Sequence, residues 1–325
     1  MNTQPPSFTR RRLLAVGGAA LASATPWVRA QSSTPVKIWV GFAAGGSADQ
    51  TARQVAEQLR SALGRPVVVE NRTGAGGRLM LEQAKSAKPD GETLVFVPHG
   101  PMTLFPHIYR SLRYAPADFA PIGRVCTFDY ALATGPATSA QSLPDYLKWA
   151  ANPDNKAAFG SPGAGTIPHL IGQMLAHRAG VSLTHVGYRG AAPSVLDAMG
   201  GNISLVSGPL ADMLQYHQAG KLRVLATTGA ARTHFLPEVP TLKESGVDFV
   251  MDGWYGLYVP QATPAATIAT VSQAIRDAAP ALTEPLARSA LVMAPTTPGE
   301  LAQMQVTETA LWGDIVKQVG FEPEG

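Results

Sequence analysis

The sequence predicts an α/β fold of two lobes, and three observations carry that prediction. Short β-like runs alternate with helical stretches along most of the chain, the pattern of parallel-rich sheets covered by helices on both faces. Gly64, Gly180 and Gly220 each fall just past a helical stretch, where C-terminal caps sit. The chain has 325 residues, 45% of them hydrophobic, which strains a single core, yet no long linker divides it. The two sheets are therefore expected to be joined by strands that cross between them.

The first thirty residues read as an export signal. Arg10, Arg11 and Arg12 form a charged head with a twin-arginine pair, and Leu13 to Ala24 is a short, weakly apolar run. Val28-Arg29-Ala30 supplies a small-x-small cleavage site with Gln31 as the first mature residue. The apolar run is too short to span a bilayer. This region also holds four of the 26 basic residues and no acid, so 22 basic face 23 acidic residues in the remainder. No basic stripe is left to neutralise phosphates, and nucleic acid is not an expected partner. Cys126 stands alone in the apolar run Ile122 to Tyr130, so an internal disulfide is excluded and a small buried side chain is expected there.

In chain order, Val36–Val40 reads as a strand leading into a helix near residues 47–63. Residues 66–69 lead through a glycine-rich loop to a helix over 79–87, and residues 93–97 form another strand. Residues 156–160 feed a second glycine-rich loop and a helix over 167–179. Strands are expected at 185–186, 203–206 and 223–226, with helices over 191–199 and 210–219 between them. An aromatic-rich strand at 254–259 and long helices over 264–282 and 298–319 complete the chain.

Phe42-Ala43-Ala44-Gly45-Gly46-Ser47-Ala48-Asp49 joins the first strand to the first helix and comes close to three motifs. It lacks the middle glycine of a dinucleotide fingerprint, the lysine of a phosphate loop and the final glycine of a nucleophile elbow. What remains is a tight turn at a helix N-terminus, where amides and the helix dipole hold an anion without a cationic side chain. Ser47 and Asp49 serve equally well as plain helix caps. Ser161-Pro162-Gly163-Ala164-Gly165-Thr166 repeats the arrangement far along the chain, and the pair suggests two jaws of one cleft. Asn71 to Gly77 is a third such loop, readable as ligand contact or structural turn.

Over its whole length beyond the signal the chain resembles the Bug family, the periplasmic substrate-binding proteins of tripartite tricarboxylate transporters. The resemblance lies in the 42–49 and 161–166 loops, Pro89-Asp90-Gly91, Tyr188-Arg189-Gly190, Leu236-Pro237-Glu238 and Trp254-Tyr255-Gly256-Leu257. It implies a type II-like binding-protein fold, with residues 31–130 and 254–325 forming one lobe and 131–253 the other. It further implies a small carboxylate ligand, membrane permease subunits as partners, a monomer in the periplasm, and no cofactor or metal. The ligand-binding residues it implies are Phe42, Ala43, Gly45, Gly46, Ser47, Asp49, His99, Ser161, Gly163, Ala164, Gly165, Thr166, Tyr188 and Ser207. Ser204 and Ser207 stand where the family commonly has acids, which weakens the case for an amino-acid ligand.

A second class remains open on the residues alone: an exported serine hydrolase using Ser47 or Ser161 with His99, His169 or His185. No spacing requires such a pair. His169 is expected to be a partly exposed helix residue and His185 a satisfied core or edge residue. A non-catalytic binding protein is the expectation.

Overall fold

The computed structural model describes residues 34–318 together with Met1. The expected signal peptide and its cleavage site fall outside those residues. The element bounds follow the apolar pattern. β1 (Val36–Val40) lies between β2 (Val67–Asn71) and β3 (Thr93–Pro98) and runs parallel to both. α1 (Ser47–Leu63) buries Ala48, Ala52, Val55, Ala56 and Leu59, a stripe at helical spacing, and stops at Gly64 with φ 62°. α2 (Arg78–Ala84) is shorter than expected: past it Ser86 and Ala87 donate to the carbonyls three residues back, a tightened turn ahead of Pro89. Two short turns, α3 (Gly100–Thr103) and α4 (Phe105–Ile108), precede β4 (Phe119–Thr134).

Beyond β4 come α5 (Leu143–Ala150), β5 (Ala158–Ser161), α6 (Ile167–Ala179), β6 (Thr184–Gly187), α7 (Ala191–Met199) and β7 (Leu205–Pro209). The helix expected over 210–219 is instead a single 3₁₀ turn, Leu210–Asp212, followed by α8 (Leu214–Gln218). β8 (Arg223–Thr227) and β9 (Asp252–Pro260) follow. The long helix expected over 264–282 is two, α9 (Ala265–Asp277) and α10 (Ala279–Ala287), with Pro280 in the first turn of the second. β10 (Val292–Met293) and α11 (Pro298–Gln318) complete the described chain.

Ten strands form one continuous ladder in two sections. The first has the order β2-β1-β3-β9-β4, with β10 also on β4; the second has the order β6-β5-β7-β4, with β8 also on β4. Each section holds three parallel strands; in the first β3 reaches the crossing strand β4 through antiparallel β9, and in the second β7 pairs antiparallel with β4 itself. Residues 119–129 of β4 pair with β9, and Tyr130–Thr134 pair with β7 and β8. Thr228 ties β4 to the segment just before β9: its hydroxyl accepts from the Tyr130 amide at 3.0 Å and donates to the Met251 carbonyl at 2.6 Å. The fold is thus a two-lobed α/β structure, and both lobes belong to one compact unit starting at Thr34.

Candidate ligand-binding cleft

Three helices begin at one place. Ser47 of α1, Ile167 of α6 and Ala191 of α7 are first-turn residues, and all line a cavity where the two sheet sections meet. The cavity measures about 550 Å³, counted with its open mouth. Its walls are mostly apolar: Phe42, Phe128, Tyr130 and Tyr255, with Pro98, Pro101, Pro162, Pro168 and Pro209. Among the described residues no lysine, arginine or histidine lines it, and Asp212 is the one charged group in its wall.

Asp212, from the 3₁₀ turn after β7, reaches across to the start of α1. Its Oδ1 accepts from the Ser47 amide at 2.7 Å and its Oδ2 from the Ser47 hydroxyl at 2.7 Å. Burial lifts the Asp212 carboxyl to about 6, with the two bonds from Ser47 offsetting part of the rise. Ser47 has one hydroxyl proton, given to Asp212, so the Tyr255 phenol is the donor in its 2.7 Å contact with Ser47 Oγ. Burial, with Asp212 nearby, pushes the Tyr255 phenol well above its ordinary value, so it stays protonated. Of the two readings open for Ser47, cap and ligand contact, the cap does not form: the N-cap is Gly46, with no side-chain capping bond, and the serine hydroxyl bonds Asp212 and Tyr255 in the cavity wall.

Of the residues the sequence singled out, Phe42, Ala43, Gly46, Ser47 and Thr166 line the cavity. The others stand behind it. The Ala43 amide donates to the Arg189 carbonyl at 2.8 Å, a bond that joins the two lobes at the rim. Gly45 donates its amide to Asp49 Oδ2 at 3.0 Å, and Asp49 also receives Arg53 and Asn71, so this carboxylate braces the loop from behind. His99 is buried and reaches the cavity only through Tyr130: its Nε2 meets the Tyr130 hydroxyl at 2.9 Å and its Nδ1 meets Glu308 at 2.8 Å. Trp254 Nε1 donates to the other oxygen of Glu308 at 2.6 Å.

The second loop is likewise satisfied from within. The Thr166 hydroxyl donates to the Gly163 carbonyl at 2.7 Å, Tyr109 donates to the Ala164 carbonyl at 3.0 Å, and the Gly165 amide donates to His169 Nδ1 at 3.0 Å. Gly163 packs on Gly76 so closely that a Cβ there would lie 3.0 Å from the Gly76 Cα. The third glycine-rich loop is therefore a structural contact between the lobes. Tyr188 donates to Asp197 at 2.6 Å, and Ser207 is buried in β7; neither lines the cavity. Asp212, Tyr255, Tyr130 and Phe128 were missed. The one signal for Asp212 was a lone charge in the apolar stretch Leu210-Ala211-Asp212-Met213-Leu214.

One serine–histidine pair does form. Ser161 Oγ lies 2.8 Å from His185 Nε2, but the Ser161 proton goes to the Gly163 carbonyl at 2.9 Å. His185 Nε2 is then the donor to Ser161 and cannot take its proton. Burial pushes His185 down to about 4, and burial with His185 alongside pushes His169 down to about 3. The two rings stack at 3.7 Å between centroids, and His169 is buried, not partly exposed as expected. Among the described residues no cluster of His, Cys, Asp and Glu could hold a metal ion.

Solved structures of similar shape are binding proteins. A periplasmic transporter of solved structure is 31% identical with TM-score 0.85, covering 91% of this chain and all of that one. The periplasmic binding protein BugD is 29% identical with TM-score 0.85, over 89% of this chain and 99% of its own. An R. palustris protein solved with adipate is 26% identical with TM-score 0.85, over 90% of this chain and 100% of its own. Among curated relatives, the UPF0065 protein of the tcbD-tcbE intergenic region of a Pseudomonas species is 32% identical over 94% of each chain. Protein BugT of Bordetella pertussis is 29% identical over 95% of this chain and 98% of its own. The profile of the tripartite tricarboxylate transporter family receptor matches residues 51–321. The chain belongs to that receptor family, and it is a solute-binding protein, not an enzyme.

Proposed function

We propose that this chain is a periplasmic receptor that captures a small organic carboxylate between its lobes and delivers it to the membrane subunits of a tripartite transporter. One observation carries the reading: the first turns of α1, α6 and α7 converge on a cavity that, among the described residues, no cationic side chain lines. First-turn amides have no intrahelical acceptor, and three dipoles share their positive ends there. Adipate, bound by the R. palustris relative, belongs to the same ligand class. The lobes divide at 130/131 and 253/254, beside the pairing switch in β4. Export follows the twin-arginine route with cleavage after Ala30, and the mature protein is a monomer.

The test is a calorimetric screen of mono-, di- and tricarboxylates against the purified protein, followed by uptake of the ligand in cells with and without the gene. One carboxylate should bind one per chain, and its uptake should require the gene. Failure of every carboxylate to bind would overturn the reading.

A further inference from the structure

The polar side chains that face the cavity near α1 present acceptors. The Tyr255 proton is spent on Ser47 and the Ser47 proton on Asp212, so the Asp212 carboxylate and the Tyr255 oxygen present lone pairs. Asp212 is 8% exposed, and among the described residues no lysine, arginine or histidine forms an ion pair with it. A buried carboxylate in apolar walls is costly unless a cation meets it. The start of α1 gives it only a partial positive charge. It also occupies the place on the Ser47 amide that a ligand's carboxylate would need.

The rest of the wall suits a cation equally well. Phe128 lies 4.6 Å from Tyr255 and 5.2 Å from Tyr130 between ring centroids, and all three rings line the cavity with Asp212. Aromatic faces attract ammonium groups, most strongly where water is excluded. We propose that the ligand bears a protonated or methylated amine, held by Asp212 and the Phe128, Tyr130 and Tyr255 rings. The inference rests on the proposed receptor function: the ligand's carboxylate lies at the α6 and α7 end, and its amine at the α1 end. The ligand class is then an amino acid or betaine whose charged groups are separated by an apolar stem. The acid that the sequence lacked at Ser204 and Ser207 is supplied by Asp212.

The experiment is calorimetric titration of the full mature protein with a series of ω-amino acids and their trimethylammonium analogues. Dicarboxylates, monocarboxylates and alkylamines of matched length are titrated alongside. The proposal expects an amine-bearing carboxylate to bind most tightly and to lose about 100-fold in affinity in D212N. F128L leaves the hydrogen bonds of Asp212 in place and should weaken amine-bearing ligands by about tenfold, with a smaller effect on ligands lacking the amine. It decides the matter should D212N fail to fold. Dicarboxylates binding more tightly than amino acids would overturn the amine proposal and leave the carboxylate receptor standing. Alkylamines binding as tightly as amino acids would uphold the amine and contradict the carboxylate. No binding by any member of the series would count against both.

Discussion

Ser47 and Asp212 lie 165 residues apart in sequence and are joined by two hydrogen bonds of 2.7 Å, one from the serine amide and one from its hydroxyl. The loop before α1, which on its own looks like an open anion site, thus meets a carboxylate from the turn after β7. That pairing decides what the cleft offers a ligand.

Ser47→Ala removes the hydroxyl bond to Asp212 and the acceptor of the Tyr255 proton. The folded protein should lose about 1–3 kcal/mol, the range for a hydrogen bond to a buried charged group. The Asp212 carboxyl should also titrate at a higher pH than in the wild type. Denaturant unfolding and a carbonyl-labelled NMR titration read the two effects separately.

Ligand affinity should depend on pH through Asp212. An ammonium pairs with the ionised carboxylate, so protons compete with it below about 6. Affinity should be level above that pH and fall by up to about tenfold per unit below it. A ligand carboxylate displacing Asp212 would show the opposite slope. Tyr130 and Tyr255 remain protonated throughout, because burial raises both phenols well above their ordinary values. His99 and Glu308 stand behind Tyr130. D212N should abolish the step, and a step that survives in D212N would contradict its assignment to Asp212.

The stacked histidines make the fold acid-sensitive. Their folded values, about 3 for His169 and about 4 for His185, lie below the ordinary 6.5. The unfolded chain therefore takes up protons that the native state refuses. Their contribution is fully present above pH 6.5 and declines as pH falls toward 4, by at most about 1.4 kcal/mol per unit for each ring. Asp212 acts in the opposite direction below about 6, so the comparison must be differential. His169→Gln, which keeps an acceptor for the Gly165 amide, should flatten the slope of stability against pH between 7 and about 4.5 relative to wild type. Chemical denaturation at each pH measures it.

Two glycines that look alike in sequence should behave differently. Gly165 has φ +73°, and a Cβ there would lie 1.8 Å from the Tyr109 hydroxyl, so Gly165→Val should lower Tm and distort the second loop. Gly46 is extended at φ −80°, and a Cβ there would lie 3.4 Å from Asp212 Oδ1. Gly46→Val should keep its Tm and weaken ligand binding. Thermal unfolding with and without ligand separates the two.

The fold was legible in the sequence because alternation and glycine caps are local signals. Val36–Val40, the α1 stripe and the caps at Gly64 and Gly180 fall where the pattern put them. What failed was also local: Pro280 divided a helix read as continuous, and Leu210–Asp212 took a 3₁₀ turn where apolar spacing suggested a regular helix. That misreading hid Asp212. The cleft was legible as two helix starts, but not as a set of partners. Whether Ala43 or Ser47 keeps a free amide depends on Arg189 and Asp212, which lie more than a hundred residues away and meet them only in the folded chain. Tyr130 and Phe128 sit in a run whose apolar character announced burial, but neither the long strand β4 nor the side chains' outlook on a cavity.

The most direct measurement is the ligand affinity of Ala43→Trp. Ala43 is part-exposed at the rim and lines the cavity, so an indole there fills the binding space without entering the core. With a carboxylate that binds the wild type one to one, calorimetry should find binding abolished in Ala43→Trp while the ligand-free Tm stays within a few degrees. Unchanged affinity in a folded Ala43→Trp protein would place the ligand elsewhere and contradict the cleft.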